Sequence, residues 1–133
     1  MSRIERRQKA KAAKKLGKKA NHHRILGEQF AHEGKFNEAI EAFHRALKQE
    51  PDNPLIFYEI GLVLMRQRQN AEALVLFQKS MELDSRQPKV YTAFATVLRN
   101  MDDLDGAEEF TRAALEEFPN DPHLMTELAT NMQ

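Results

Sequence analysis

The feature that most constrains this chain is a repeat of 34 residues. In GKFNEAIEAFHRALKQEPDNP, from Gly34 to Pro54, the apolar residues Ala39, Phe43, Ala46 and Leu47 lie three, four or seven positions apart. That spacing puts them on one face of a helix. Gly34 and Asn37 mark the turn before this helix; Pro51, Asp52 and Pro54 mark the turn after it. One period on, Ala39 becomes Ala73 and then Ala107, and Ala46 becomes Ser80 and then Ala114. Leu47 becomes Met81 and Leu115, and Pro54 becomes Pro88 and Pro122. A second register runs through Leu26, Ile60, Phe94 and Leu128, each followed by a small residue: Gly27, Gly61, Ala95 and Ala129. Phe30, Leu64, Leu98 and Met132 come next in phase. A small side chain at such a place lets two helices cross closely, where a large one would hold them apart.

These registers resemble the tetratricopeptide repeat (TPR) family, whose unit is two antiparallel helices and whose period is 34 residues. The resemblance covers roughly residues 20–133. It implies an all-α fold, an α-solenoid of three helix-turn-helix units at about 20–53, 54–87 and 88–121, closed by a capping helix at 122–133. Residues 1–19 stand before it as a basic, flexible arm. Helices are expected near 21–33, 37–49, 54–67, 71–83, 88–100, 104–117 and 122–131, with Gly17 interrupting any helix that enters the first unit. Three places depart from the family pattern. His23 stands where a large residue such as Trp is usual, Ser85 replaces the proline of Pro51 and Pro119, and Thr111 replaces the aromatic of Phe43 and Phe77. Phe110, beside Thr111, is expected to compensate. In the last helix Leu124, Met125, Leu128, Ala129 and Met132 share one arc, with Thr126, Glu127, Thr130 and Asn131 opposite. A one-sided helix of this kind suits a terminal cap and a natural end at residue 133.

The net charge of zero hides a division. Residues 1–24 carry ten Lys or Arg against the single acid Glu5, and residues 25–133 carry ten against 19 acids. A basic start of formal charge +9 therefore precedes a body of −9. Arg3, Arg6, Arg7 and Lys9, then Lys11, Lys14, Lys15, Lys18 and Lys19, form a candidate polyanion-binding arm for RNA, DNA or the ribosome. A simple solvated extension, an anionic lipid surface and a self-partner are the competing readings. No aromatic stands in the arm to stack on bases, and Ile4 and Leu16 are its only sizeable apolar residues, too few for a membrane-binding amphipathic helix. The short basic start also looks like that of some small bacterial TPR proteins. No cysteine is present, so disulfides, thiolate metal sites and a Cys nucleophile are excluded. No apolar run reaches the ~20 residues of a membrane span, and no apolar core of a secretory signal follows the basic start. A cytoplasmic setting is expected.

Catalytic chemistry finds no support in the residues. His22 and His23 are adjacent and point to different sides of a helix, while His32, His44 and His123 are scattered; no pair has zinc-helix spacing. The run Asp102, Asp103, Leu104, Asp105, Gly106 suggests a calcium loop, but that register would make Met101 the first ligand and Arg112 the closing acid. Asp102 or Asp103 as a helix cap is the better account. There is no Gly-rich phosphate loop and no nucleophile motif around Ser2, Ser80 or Ser85. The reading is a non-enzyme that needs no metal and no cofactor.

What remains is a binding face. In TPR proteins the first helix of each unit lines the concave side, and the resemblance puts Leu55, Tyr58, Leu62 and Met65 of the middle unit there. Arg24 and Glu28 take the equivalent places in the first unit with Asn21 and Ala31, and Lys89, Thr92, Thr96 and Arg99 take them in the third. An apolar centre between polar ends is the layout of a hot spot within a rim, with Arg24, Glu59 and Arg99 as rim charges. Some family members clamp the C-terminal carboxylate of heat-shock chaperones, and the matching places here hold Arg24, Glu28, Glu59, Lys89 and Ala93. Glu28 and Glu59 would repel that carboxylate. The expected function is a protein–protein adaptor that holds a peptide or helix of a partner. A nucleic-acid or ribosome-associated factor using the arm, and a recognition arm of a larger glycosyltransferase-like enzyme, are the other classes.

Overall fold

The computed structural model describes residues 2–131, which form seven helices and, among the described residues, no strand. They are α1 (Arg3–His32), α2 (Phe36–Gln49), α3 (Pro54–Arg66), α4 (Asn70–Leu83), α5 (Pro88–Asn100), α6 (Leu104–Glu117) and α7 (Pro122–Asn131). The fold class is an all-α solenoid of helix-turn-helix repeats with a terminal helix. The chain divides into two compact units, residues 1–56 and 57–133.

In the first unit, α1 and α2 pack as an antiparallel pair. The close crossing is at Gly27, where an added Cβ would lie 2.5 Å from Cε1 of the buried Phe43. Ala39, Ala42 and Ala46 complete the buried face of α2. The second unit repeats the device: a Cβ on Gly61 would lie 2.5 Å from Cε1 of Phe77, and Ala73 and Ser80 are buried beside that ring on α4. The third repeat uses a different pair of sizes in the same registers. Ala95 and Thr111 are both fully buried, and the Thr111 hydroxyl donates to the Ala107 carbonyl at 2.7 Å. The missing aromatic volume comes from Phe110, whose ring stacks on Phe94 at 4.5 Å and on Tyr91 at 5.8 Å. A larger small residue therefore accompanies a smaller large one.

Each repeat turns its chain the same way. Gly34, Arg68 and Asp102 adopt left-handed backbone with φ of 77°, 62° and 62°. The next amide in each case reaches back to the helix just ended: Lys35 N–H to the Phe30 carbonyl at 2.8 Å, Gln69 to Leu64 at 2.9 Å and Asp103 to Leu98 at 3.0 Å. This is a Schellman closure, which satisfies carbonyls that the helix end leaves open. The Asp103 carboxylate then accepts from Gly106 N–H at 2.9 Å and caps α6, so the acidic run is a turn and a cap.

Two expectations are corrected. Gly17 does not interrupt a helix: α1 runs unbroken from Arg3, seventeen residues before its first buried side chain, Ala20, with Ser2 as its cap. The Ser2 hydroxyl accepts from Glu5 N–H at 3.1 Å, and Gly in a helix interior costs only about 1 kcal/mol relative to Ala, too little to break a segment rich in Lys, Arg and Ala. In α7 the inward arc is not the expected one. Leu124 is buried and Glu127, Leu128 and Asn131 are half-buried, whereas Met125 is 55% exposed and Ala129 is also exposed. The arc turns toward Glu127 because that carboxylate has partners on α5. Met132, expected to end the apolar arc, and the last two residues of the expected 122–133 cap lie outside the described residues.

Candidate functional site

The expected face is best defined in the second unit, where α5 carries Lys89, Thr92, Thr96 and Arg99 at spacings of three and four. The opposite side of α5 is committed to α6 through Tyr91, Phe94 and Phe110, and Tyr91 also meets Phe118 at 5.4 Å. The stripe is thereby left facing α3 at one end and α7 at the other. At the α3 end, Lys89 Nζ sits 5.0 Å from the centroid of the Tyr58 ring, a cation–π distance. Tyr58 itself leans on Phe77 with ring centroids 5.9 Å apart, so its ring is braced from below. At the α7 end, Glu127 takes Arg99 on one oxygen and the Thr96 hydroxyl on the other, the latter at 2.8 Å. The Thr96 hydroxyl has one proton to share between Glu127 and the Thr92 carbonyl at 2.9 Å.

Tyr58, Leu62 and Met65 follow one another along α3 and are all half-buried, so each keeps apolar surface open. Burial, and after it the neighbouring Glu59 carboxylate, push the Tyr58 hydroxyl above its ordinary value of 10.0. The phenol therefore stays a neutral donor and acceptor through the physiological range. Glu59, expected as a rim charge, is only 8% exposed and belongs to the buried side of α3 with Ile60, Val63 and Leu64. Beyond Met65 the face runs into a pocket of about 390 Å³ lined by Met65, Arg66, Arg68, Asn70 and Asn100. The side-chain oxygen of Asn70 is buried with no hydrogen-bond partner among the described residues. The Arg68 guanidinium and two side-chain amides make this pocket suited to a carboxylate or another polar group.

The other expected residues belong to the first unit, which is described by itself. Arg24 is half-buried and donates to Glu28 at 2.7 Å and to Asn21 at 3.0 Å. Leu55 is half-buried at the start of α3, its amide held by the Asn53 side chain at 3.0 Å. Among the described residues no group of three His, Cys, Asp or Glu is placed to hold a metal ion, and no helix is long and apolar enough to cross a membrane.

Sequence reasoning missed two members of this site. Glu127 is 28 residues from Arg99 and 31 from Thr96, so no local spacing announces the contact. The Arg68 pocket was detectable in principle, because Arg68 stands one period from Gly34 and from Asp102 at the turn.

Comparison with known proteins agrees with this architecture. The family description "TPR repeat" matches residues 27–68, and "Tetratricopeptide repeat" matches residues 64–126. No curated protein is significantly similar in sequence. Among solved structures, the TPR domain of Arabidopsis OM64 superposes with a TM-score of 0.78 at 15% identity, covering 88% of this chain and 97% of that one. The TPR2B domain of yeast Sti1, in a complex with an Hsp70 peptide, gives 0.77 at 20% identity, covering 86% and 97%. The second TPR domain of human RPAP3, in complex with an HSP70 peptide, gives 0.72 at 21% identity, covering 86% and 98%.

Proposed function

The chain belongs to the tetratricopeptide-repeat family, and we propose that it is a non-catalytic adaptor that holds a peptide or short helix of a partner protein. The observation that carries this reading is the half-open apolar row Tyr58, Leu62 and Met65, bounded by Lys89 at one end and by the Arg68 pocket at the other. A peptide with one or two large apolar anchors fits it, and burying each anchor is worth roughly 1.5–3 kcal/mol. The pocket beyond Met65 favours an acidic residue next to the anchor. Thr92 and Thr96 line the middle of the row, and Lys89 sets orientation more than affinity. Arg24, Glu28 and Leu55 of the first unit are proposed as further peptide contacts.

The relatives solved with Hsp70 peptides support peptide binding as the mode. The charges here favour a different peptide from a chaperone tail. Of the clamp places, Arg24 is engaged by Glu28, and Glu59 is a buried acid. A cytoplasmic setting and a kinship with small bacterial members that begin with a basic segment are parts of the same reading.

The test begins with peptides selected by display on the full chain, then titrated against Tyr58→Ala and Leu62→Glu. Each variant is first shown to keep wild-type helicity and melting temperature. Loss of one apolar anchor contact predicts about tenfold or more weaker binding. If both folded variants bind every selected peptide as the wild type does, this face is not the binding site.

A further inference from the structure

The peptide face leaves the first five turns of α1 unexplained. Every residue from Arg3 to Leu16 is exposed, as are Lys18 and Lys19, and the first side chain of α1 to be buried is Ala20. At 1.5 Å per residue, Arg3 to Lys19 is a rod about 24 Å long. Among the described residues none of its nine cations lies within ion-pairing distance of a carboxylate, although the rest of the chain is acidic. Nor does helix stability account for them. Arg3, Arg6 and Arg7 crowd the N-terminal end, where the helix dipole disfavours positive charge, and only Glu5 opposes them. Arg3 and Arg7, Arg7 and Lys11, Lys11 and Lys15, and Lys14 and Lys18 are like charges one turn apart, each pair mildly destabilising.

The helical form fixes where these charges point. At about 100° per residue, Arg3, Arg7, Lys11, Lys14 and Lys18 fall within an arc of about 80°. Arg6 and Lys9 lie on one flank of that arc and Lys15 and Lys19 on the other. Cations thus cover about three-quarters of the circumference, leaving a narrow back that holds Glu5, Ala12 and Leu16. A flat anionic membrane would meet one face only and would want an apolar strip beneath it. Ile4 and Leu16 are about 120° apart and form no strip. A single strand would want aromatic platforms, and the segment has none. Phosphates on two sides of a helix are what a duplex groove presents. The major groove of B-form DNA admits an α-helix, while that of A-form RNA is too deep and narrow. Ala10, Ala12 and Ala13 keep the rod slim between its charged flanks.

We propose that residues 3–19 of α1 are a binding helix for duplex DNA, seated in the major groove and held by phosphates of both strands without base recognition. The acidic body repels phosphate and confines the contact to this rod. The proposal is independent of the peptide-binding reading.

The test uses the full chain and a fluorescent 24-base-pair DNA duplex of arbitrary sequence, titrated at several salt concentrations. About six phosphate contacts predict a slope near −5 in log affinity against log salt. The variant carrying Arg7→Gln, Lys11→Gln, Lys14→Gln and Lys18→Gln keeps good helix formers and should shallow that slope by about 3–4. A charge-matched control carries Lys35→Gln, Arg45→Gln, Lys48→Gln and Lys79→Gln, all exposed sites outside the rod, and should bind as the wild type does. An RNA duplex and a single DNA strand of the same length should bind at least about tenfold more weakly than the DNA duplex. The proposal is overturned if the two quadruple variants bind alike, or if RNA duplex or single strand binds as well as DNA duplex. It is equally overturned if the wild type binds only vesicles of equal phosphatidylglycerol and phosphatidylcholine.

Discussion

Adding one methyl group to Gly61 should destabilise the chain, and the structure says by how much and why. An alanine Cβ there would lie 2.5 Å from Phe77 Cε1, 2.7 Å from Cδ1 and 3.0 Å from Cζ. Carbon atoms rest at about 3.5–4.0 Å, so the ring edge must retreat by roughly 1 Å. It has nowhere soft to go, because Phe77 is fully buried and Tyr58 stands against it. Overpacking of this kind costs about 1–3 kcal/mol. Against that, Gly to Ala in a helix gains about 1 kcal/mol. The net expectation for Gly61→Ala is a loss of up to about 2 kcal/mol, read as a lower urea midpoint by circular dichroism at unchanged slope. Gly17→Ala is the control: it lies in α1 with nothing within 4 Å, so only the gain remains and stability should rise or stay level. In the background of Phe77→Leu, which removes the clashing ring edge, Gly61→Ala should lose most of its penalty, a coupling of about 1 kcal/mol or more. If Gly61→Ala is as stable as Gly17→Ala, or shows no coupling to Phe77, the close-crossing argument is wrong.

Two further outcomes follow from the turns and the tyrosines. Arg68→Gly should stabilise the chain by about 0.5–1 kcal/mol by relieving left-handed backbone at φ 62°, while Gly34→Ala, at φ 77° with open space around it, should lose about 1–2 kcal/mol; urea midpoints of both check it. Tyr58 and Tyr91 are the only tyrosines, and both are pushed above their ordinary value, chiefly by burial. A raised folded value means that the folded state holds its protons longer, so stability is full below about pH 10 and falls as pH rises through the folded values. Phenolate absorbance of the folded chain should therefore appear at higher pH than in urea; coincident titrations would contradict this.

The repeat was legible because packing imposes it. Gly27 and Gly61 are small because the Phe43 and Phe77 rings occupy the space above them, and both members of each pair recur at the period. Thr111 and Phe110 show the same constraint met with another division of volume, which the neighbouring aromatic already suggested. The length of α1 was also written locally. Ser2 and Glu5 have the spacing of a capping box, and that signal outweighs the single Gly17. The contact of Glu127 with Arg99 was not legible, since it depends on how α7 is rotated against α5. The burial of Glu59 escaped for a similar reason: α3 is apolar nearly all round, so periodicity does not say which side a lone acid faces.

Peptide binding on the α3 and α5 face is tested most directly by where a peptide touches. In an amide-resolved NMR titration of the full chain with a display-selected peptide, the largest shifts should fall on Tyr58, Leu62, Met65, Thr92 and Thr96. Shifts concentrated instead on the outer helices α4 and α6, with those five residues unmoved, would contradict it.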